Sequence, residues 1–304
     1  MLQKQTKHKG YLQSYLMLLP NLLLFLLISV YPVVWALQYM LYDFNGLTEP
    51  VFVGLANFER VFTRDPLFWN SVVNTLTYAV GKIVVVIPLA LVAAIALNRP
   101  RRLYAGVQAI IFSPTIMSSA VMSLVFYLLF NVYNGEINRI LVDMGIIARP
   151  INWLGRDMAM STVVAVAVWG GLGNYMVYFL AGLQQIAPDM YESAELDGAT
   201  PVVRFFKITI PLLGPVLKVI LMLAIVNAFQ DMASIMVLTE GGPFNSTKVM
   251  FLYIYQLYYP LGDTGSGFRA QYGYGAAVSV VAAAMLGMIT VGYMRISKKL
   301  DDIY

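Results

Sequence analysis

Long apolar stretches alternate along the chain with shorter polar segments. Six apolar stretches cover about residues 15–37, 72–97, 107–130, 161–183, 212–238 and 274–294. A helix that crosses a bilayer needs about 20 mainly apolar residues, and each stretch reaches that length. The pattern therefore predicts an all-α membrane protein with six transmembrane helices in a single domain over residues 1–304.

Basic residues in the short polar segments predict the orientation of these helices. Lys and Arg concentrate on the cytoplasmic side of membrane proteins. Three basic clusters lie on one side of a six-span arrangement: Lys4, Lys7 and Lys9; Arg99, Arg101 and Arg102; and Arg295, Lys298 and Lys299. Both termini are therefore expected in the cytoplasm, and the long loops around Asn57, Asn138 and Asp263 outside. The first stretch is longer than the apolar region of a signal peptide, so it is expected not to be cleaved off.

Composition supports lipid as the solvent and excludes several kinds of chemistry. The chain is 59% hydrophobic and 12% charged, whereas soluble domains carry about 25% charged residues. It has no Cys and a single His, His8. Disulfides, thiolate metal sites and a His-based catalytic pair are therefore not expected. The net charge of +4 comes from residues that flank apolar stretches, so nucleic acid is not an expected partner.

The predicted cytoplasmic loop over residues 184–211 departs from this charge pattern. It carries four carboxylates, Asp189, Glu192, Glu195 and Asp197. Pro188 can start a short helix, and Gly198 can end it with a positive φ. Thr200-Pro201 can then restart a second helix that leads into the fifth span. The loop is therefore predicted to form two short helices on the membrane surface.

A motif in this loop resembles the EAA loop of binding-protein-dependent ABC permeases. That loop reads Glu-Ala-Ala, three residues, Gly, nine residues, Ile, one residue and Leu-Pro. The matching residues here are Glu192, Ser193, Ala194, Asp197, Gly198, Ile208 and Pro211, with Ser193 and Ile210 as mild departures. Segments at residues 52–58, 135–138 and 239–243 resemble external elements of the maltose/glycerol-phosphate/lactose-type branch, and the chain resembles the larger maltose-permease chain.

The resemblance implies the type I ABC importer permease fold in the bacterial inner membrane. In that family the short cytoplasmic helix is a coupling helix, which docks on a dimer of ABC ATPases. It also implies a second permease, usually a different chain, and an external solute-binding protein that delivers a sugar or oligosaccharide. A non-sugar solute such as a polyamine or phosphate ester is the alternative. An ion-coupled carrier would lack the coupling motif, and no catalytic spacing indicates an intramembrane enzyme.

Nothing in the sequence indicates that the chain hydrolyses ATP. It has no glycine-rich phosphate loop, because Gly81-Lys82 is followed by Ile83 inside an apolar stretch. We expect no catalytic residues, metal or cofactor in this chain, and expect ATP-Mg on the partner ATPase.

Polar residues inside the predicted spans are candidates for the solute pathway, because such residues usually face a cavity or the bundle interior. Amides and carboxylates can bind sugar hydroxyls, and aromatic rings can cover sugar faces. The candidates are Tyr78 and Lys82; Gly171, Asn174, Tyr175 and Tyr178; and Asn227, Gln230 and Asp231. The same groups could instead hold helices together, and Lys82 and Asp231 could pair with each other.

Overall fold

A computed structural model describes residues 15–98, 102–260 and 269–298 of the protein. Several residues used above to predict the orientation lie outside the described residues: Lys4, Lys7, His8, Lys9, Arg99, Arg101, Asp263 and Lys299.

The described chain is almost entirely helical, as the apolar pattern predicts. The helices are α1 (Tyr15–Leu41), α2 (Ala56–Thr63), α3 (Pro66–Leu97), α4 (Arg102–Ile116), α5 (Ser119–Leu129), α6 (Glu136–Asp143), α7 (Ala159–Leu183), α8 (Pro188–Leu196), α9 (Pro201–Leu212), α10 (Gly214–Gln230), α11 (Ala233–Thr239), α12 (Met250–Tyr258) and α13 (Tyr272–Ser297). One hairpin, β1 (Tyr42–Asp43) with β2 (Val51–Phe52), pairs antiparallel between α1 and α2. The all-α fold class is confirmed.

Four helices are long and apolar enough to cross a membrane, namely α1, α3, α7 and α13. Two helix pairs reach that threshold only together: α4 with α5, bent by 97°, and α9 with α10, bent by 67°. The described residues thus hold four spanning helices, or six if each bent pair is one span.

Two of the predicted apolar stretches are not continuous helices. The stretch over residues 107–130 bends between α4 and α5, three residues after Pro114, whose ring prevents a regular helical hydrogen bond. The stretch over residues 212–238 breaks after Gln230, where Asp231 adopts an extended conformation with φ −71° and ψ 106°. Hydropathy cannot reveal either break, because both stretches remain apolar.

The described residues form two compact units, those within 15–65, 254–260 and 269–282, and those within 66–98, 102–253 and 283–298. The core of the second unit is built by α3, α7 and α10. Small side chains on α3, Ala90 and Ala94, are fully buried there beside Met176 and Phe179 of α7. Small residues let helix backbones approach closely, which is the usual basis of packing in lipid.

In the first unit, polar contacts fix the region between α1 and α2. The side chain of Asn57 donates hydrogen bonds to the carbonyls of Met40 and Tyr42, both at 3.0 Å. The guanidinium of Arg60 lies 3.7 Å from the ring centre of Tyr274. Asn57 belongs to the predicted external segment. Its hydrogen bonds connect α2 to the end of α1 and to β1.

Candidate functional site

The motif-bearing loop folds into two short helices, α8 and α9, as the glycine and proline positions predict. Pro188 occupies the first turn of α8. At its end, Gly198 has φ +77°, and the N–H of Ala199 donates to the carbonyl of Ala194 at 2.9 Å. This is the hydrogen bond of a helix end closed by a left-handed glycine. Thr200 then caps α9 by accepting a hydrogen bond from the N–H of Val203.

Two side-chain contacts fasten α8 to α9. The hydroxyls of Tyr191 and Thr209 lie 3.1 Å apart, and Arg204 donates to Glu195 at 2.9 Å. Thr209 is buried and ends a π-helical segment, Phe205–Thr209. Each of the two contacts joins α8 to α9, so together they hold the helix pair in one arrangement. Sequence reasoning missed both contacts, because Glu195, Arg204 and Thr209 occupy unspecified positions of the motif and Tyr191 precedes it.

The residues predicted to contact the ATPase differ in their exposure on this helix pair. Glu192, Ser193, Asp197 and Gly198 are exposed, whereas Ala194, Ile208 and Pro211 are half-buried. Large apolar side chains are exposed on the same segment, including Leu196 at 90% and Val202 at 65%. Contiguous apolar surface rimmed by polar residues is typical of a surface that another protein or a membrane covers.

A buried polar cluster lies within the helix bundle, at the break between α10 and α11. Lys82 Nζ lies 3.1 Å from Asp231 Oδ2, so these two residues form an ion pair. The Tyr78 hydroxyl donates to the same oxygen, and the Ser234 hydroxyl donates to Asp231 Oδ1 at 2.5 Å. The pairing that the sequence left open is therefore present, and it joins α3 to the helix break.

A cavity of about 210 Å³ opens beside this cluster. Four of the predicted pathway residues line it, namely Lys82, Gly171, Asn174 and Asp231. The side-chain amide of Asn174 makes no hydrogen bond within the part of the chain that the structure describes. Its amide therefore keeps its donor and acceptor capacity at the cavity wall.

The other predicted pathway residues do not line this cavity. Tyr78 and Tyr175 are buried, and Tyr78 stands behind Asp231 as its hydrogen-bond donor. Tyr178, Asn227 and Gln230 are exposed on the surface of this chain. The rings of Tyr175 and Tyr178 meet edge to face, 6.4 Å apart.

Sequence reasoning missed two hydroxyl residues in the wall, Thr115 and Ser119; Ser234, a polar residue of the fifth apolar stretch, lines it too. Thr115 follows Pro114 at the end of α4, where its hydroxyl donates to the Gly170 carbonyl at 3.2 Å. A break in a helix can turn a hydroxyl towards the interior. Pro114 was the signal in the sequence that could have predicted this break. No cluster of three or more His, Cys, Asp or Glu is placed to hold a metal among the described residues.

The glycine-rich turn after α11 serves the structure of the bundle. The Asn74 amide on α3 donates to the carbonyls of Asn245 and Lys248, at 2.8 and 3.1 Å. The hydroxyls of Thr239 and Thr247 lie 2.7 Å apart across the turn. These bonds fasten the turn to α3. The side chains of Asn74 and Thr239 thus have hydrogen-bond partners within the chain.

Proteins similar to this chain over nearly its whole length are known. Residues 86–301 match the family described as binding-protein-dependent transport system inner membrane component. The chain is 32% identical to the lactose transport system permease protein LacF of Rhizobium radiobacter, over 91% of each chain. It is also 32% identical to the trehalose/maltose transport system permease protein MalF of Thermococcus litoralis, over 98% of this chain and 97% of that one.

Solved structures share the fold. A chain of a bacterial ABC transporter involved in the import of the acidic polysaccharide alginate superposes with a TM-score of 0.80 and 23% identity, over 98% of both chains. A chain of a bacterial alginate ABC transporter, in complex with alginate pentasaccharide-bound periplasmic protein, gives a TM-score of 0.81. The predicted fold of an ABC importer permease is thus confirmed. With the family match covering most of its length, the chain belongs to the family of binding-protein-dependent transport system inner membrane components.

Proposed function

We propose that this chain is a permease subunit of an ATP-driven importer that carries a sugar or oligosaccharide into a bacterial cell. One observation carries the proposal: the exposed helix pair α8–α9 is joined to α10 through a 67° bend after Leu212, and α10 ends just before Asp231, which lines the polar cavity. A displacement of the helix pair is thereby transmitted along one helix to the break at Asp231. The chain thus links a docking surface at one end to a polar cavity at the other.

The sugar as substrate is supported by the relatives and by the chemistry of the cavity. The names of two relatives that match nearly the whole chain specify lactose and trehalose/maltose transport. In the cavity wall, Thr115, Ser119 and Asn174 offer hydroxyl and amide groups, which both donate to and accept from sugar hydroxyls.

The energy source that we propose is a separate ATPase that docks on α8. The sequence contains no phosphate loop of its own. The Tyr191–Thr209 contact and the Glu195–Arg204 pair hold α8 against α9, so a force on α8 is passed on to α9 and α10. A dimeric ATPase fits a pair of permeases, each presenting one such helix.

A second permease is proposed to complete the passage. The cavity of about 210 Å³ is smaller than most ligand sites, which occupy about 300–1,000 Å³. Tyr178, Asn227 and Gln230, the pathway candidates outside the cavity, are exposed on this chain and would face the partner. An external solute-binding protein delivers the sugar, and both termini of this chain lie in the cytoplasm.

The direct test is uptake by the complete importer, encoded by this chain and the neighbouring transport genes. Cells that lack only this chain should lose ATP-dependent uptake of one saccharide from a labelled panel, and the wild-type chain should restore it. A reporter at either terminus should be cytoplasmic. Normal saccharide uptake without the chain, together with lost uptake of an amino acid or polyamine, would reject the proposed substrate class.

A further inference from the structure

The ion pair in the cavity wall is well shielded from solvent. The side chains of Lys82 and Asp231 are 10% and 17% exposed, and their charged atoms lie 3.1 Å apart. A charge inside a membrane-spanning bundle is costly unless an opposite charge compensates it. Each residue therefore supplies the compensating charge of the other.

The carboxylate of Asp231 is already occupied by the protein. Oδ2 accepts from Tyr78 and Lys82, and Oδ1 accepts from Ser234 at 2.5 Å. These bonds use three of about four acceptor positions on a carboxylate. Asp231 is thus a positioning residue, which holds the break between α10 and α11 against α3.

The rest of the cavity wall is uncharged. Among the described residues that line it, Lys82 and Asp231 are the charged ones, and their charges cancel. Thr115, Ser119 and Asn174 provide neutral donors and acceptors at the same surface. Uncharged hydroxyls can exchange water for such groups, whereas a carboxylate entering a passage of low polarity needs a net positive wall.

We propose that the Lys82–Asp231 pair makes this chain's wall of the passage electrically neutral and thereby selects uncharged saccharides over acidic ones. The proposal rests on the proposed function and adds the charge class of the solute. A uronate carboxylate near Lys82 would also lie near Asp231, so it would lose hydration without gaining net attraction. The shared fold does not decide this point, because a structural neighbour imports the acidic polysaccharide alginate.

The first experiment compares two kinds of labelled oligosaccharide, neutral hexose oligomers and uronate oligomers, in vesicles that contain the complete importer and its binding protein. The neutral oligomer should enter faster by at least about tenfold. Uptake of the uronate alone would overturn the inference and leave the proposed function intact. Uptake of neither, with transport of an amino acid or polyamine instead, would overturn both.

The second experiment changes the charge of the wall. Asp231→Asn leaves Lys82 without its partner and makes the wall positive, so the ratio of uronate to neutral uptake should rise at least about threefold. Lys82→Met makes the wall negative and should lower that ratio. A purely structural role would reduce uptake of both solutes alike, so an unchanged ratio in both variants would overturn the proposal.

The double variant Lys82→Met/Asp231→Asn protects the test against a folding defect. It removes both charges and should return the ratio to the wild-type value, within about threefold. Glu136→Gln is the matched control, because it breaks the exposed Glu136–Arg139 pair and should leave the ratio unchanged. If one single variant fails to reach the membrane, the other single variant decides together with the double variant. A ratio that shifts with the single charge and returns to the wild-type value in the double variant supports the proposal, and an unchanged ratio in the single variant contradicts it.

Discussion

The hydroxyl of Tyr191 on α8 lies 3.1 Å from the hydroxyl of Thr209 on α9, where Thr209 is buried. This bond joins the proposed docking helix to the helix that leads into the membrane. Thr209 also reaches the Arg204 carbonyl at 3.5 Å, so its hydroxyl keeps a partner if Tyr191 changes. The contact is therefore well placed to affect transmission without unfolding the segment.

Tyr191→Phe removes this one hydrogen bond and keeps the ring. A typical hydrogen bond contributes about 1 kcal/mol, so we expect a modest loss of thermal stability in detergent. The ratio of solute transported to ATP hydrolysed should fall, because α8 and α9 then move less strictly together. Adding Thr209→Val should cost less than the two single effects combined; fully additive effects on the ratio would mean that the two hydroxyls do not act as a pair.

The second contact between these helices should matter much less. Glu195 is 73% exposed at its side chain, and exposed ion pairs typically contribute about 0–1 kcal/mol. Glu195→Gln should therefore leave the unfolding temperature nearly unchanged at physiological salt. A large drop in that temperature would show that the Arg204 pair, rather than the Tyr191 hydroxyl, holds the two helices together.

Asn138 is expected to be essential for the structure of the loop that follows α5. Its amide donates to the carbonyls of Val132 and Ile151, and its carbonyl accepts from Ile151 N–H and Trp153 Nε1. Only 3% of the residue is exposed. Asn138→Ala leaves these groups without partners, at about 1–3 kcal/mol for each one that stays unsatisfied.

The control for Asn138→Ala is Asn134→Ala, at an exposed position in the same loop. We expect the first variant to lower the unfolding temperature by many degrees and the second to change it little. Equal temperatures for both variants would contradict the role assigned to the buried amide.

Gly173 is expected to set the distance between α7 and α4. A Cβ at this position would lie 2.6 Å from Phe112 Cα and 2.7 Å from the Ile111 carbonyl oxygen. Backbone atoms cannot move aside like a flexible side chain, so Gly173→Ala should force the helices apart, which typically costs about 1–3 kcal/mol. Gly292→Ala is the matched control, because a Cβ there meets nothing within 4 Å. A stable Gly173→Ala variant would show that the two helices can separate freely.

The sequence predicted those structural features that depend on neighbouring residues, and it missed those that depend on distant contacts. The two ends of α8 and the start of α9 were predictable, because Pro188, Gly198 and Pro201 act through their own backbone preferences. The break at Asp231 was not, because it depends on hydrogen bonds from Tyr78 and Lys82, about 150 residues earlier in the chain. No periodicity records such a contact.

The same break explains which pathway residues the sequence could not place. In an unbroken helix, Asn227 and Asp231 would share one face, since they are four residues apart. Because α10 ends at Gln230, Asp231 lines the cavity while Asn227 remains exposed on the surface of this chain.

The strongest test of the proposed coupling concerns Gly198. Its φ of +77° is a conformation that strains other residues by roughly 1–2 kcal/mol. A Cβ there would meet nothing within 4 Å, so Gly198→Asp adds strain, volume and charge on an exposed surface without a clash inside the chain. The protein should therefore insert and accumulate. Co-purification with the ATPase, or stimulation of ATP hydrolysis by the solute-loaded binding protein, should fail.

Gly145→Asp is a closely matched control for that experiment. Gly145 also has a positive φ, +70°, and a Cβ there also meets nothing within 4 Å, but it lies after α6, in the loop predicted to be external. Both variants carry the same backbone strain and the same added charge, so a difference between them reports the position alone. We expect Gly145→Asp to retain ATPase attachment and binding-protein stimulation in reconstituted membranes. If both variants behave like the wild type, the α8–α9 pair is not the coupling element; if both fail alike, the strain rather than the contact is responsible.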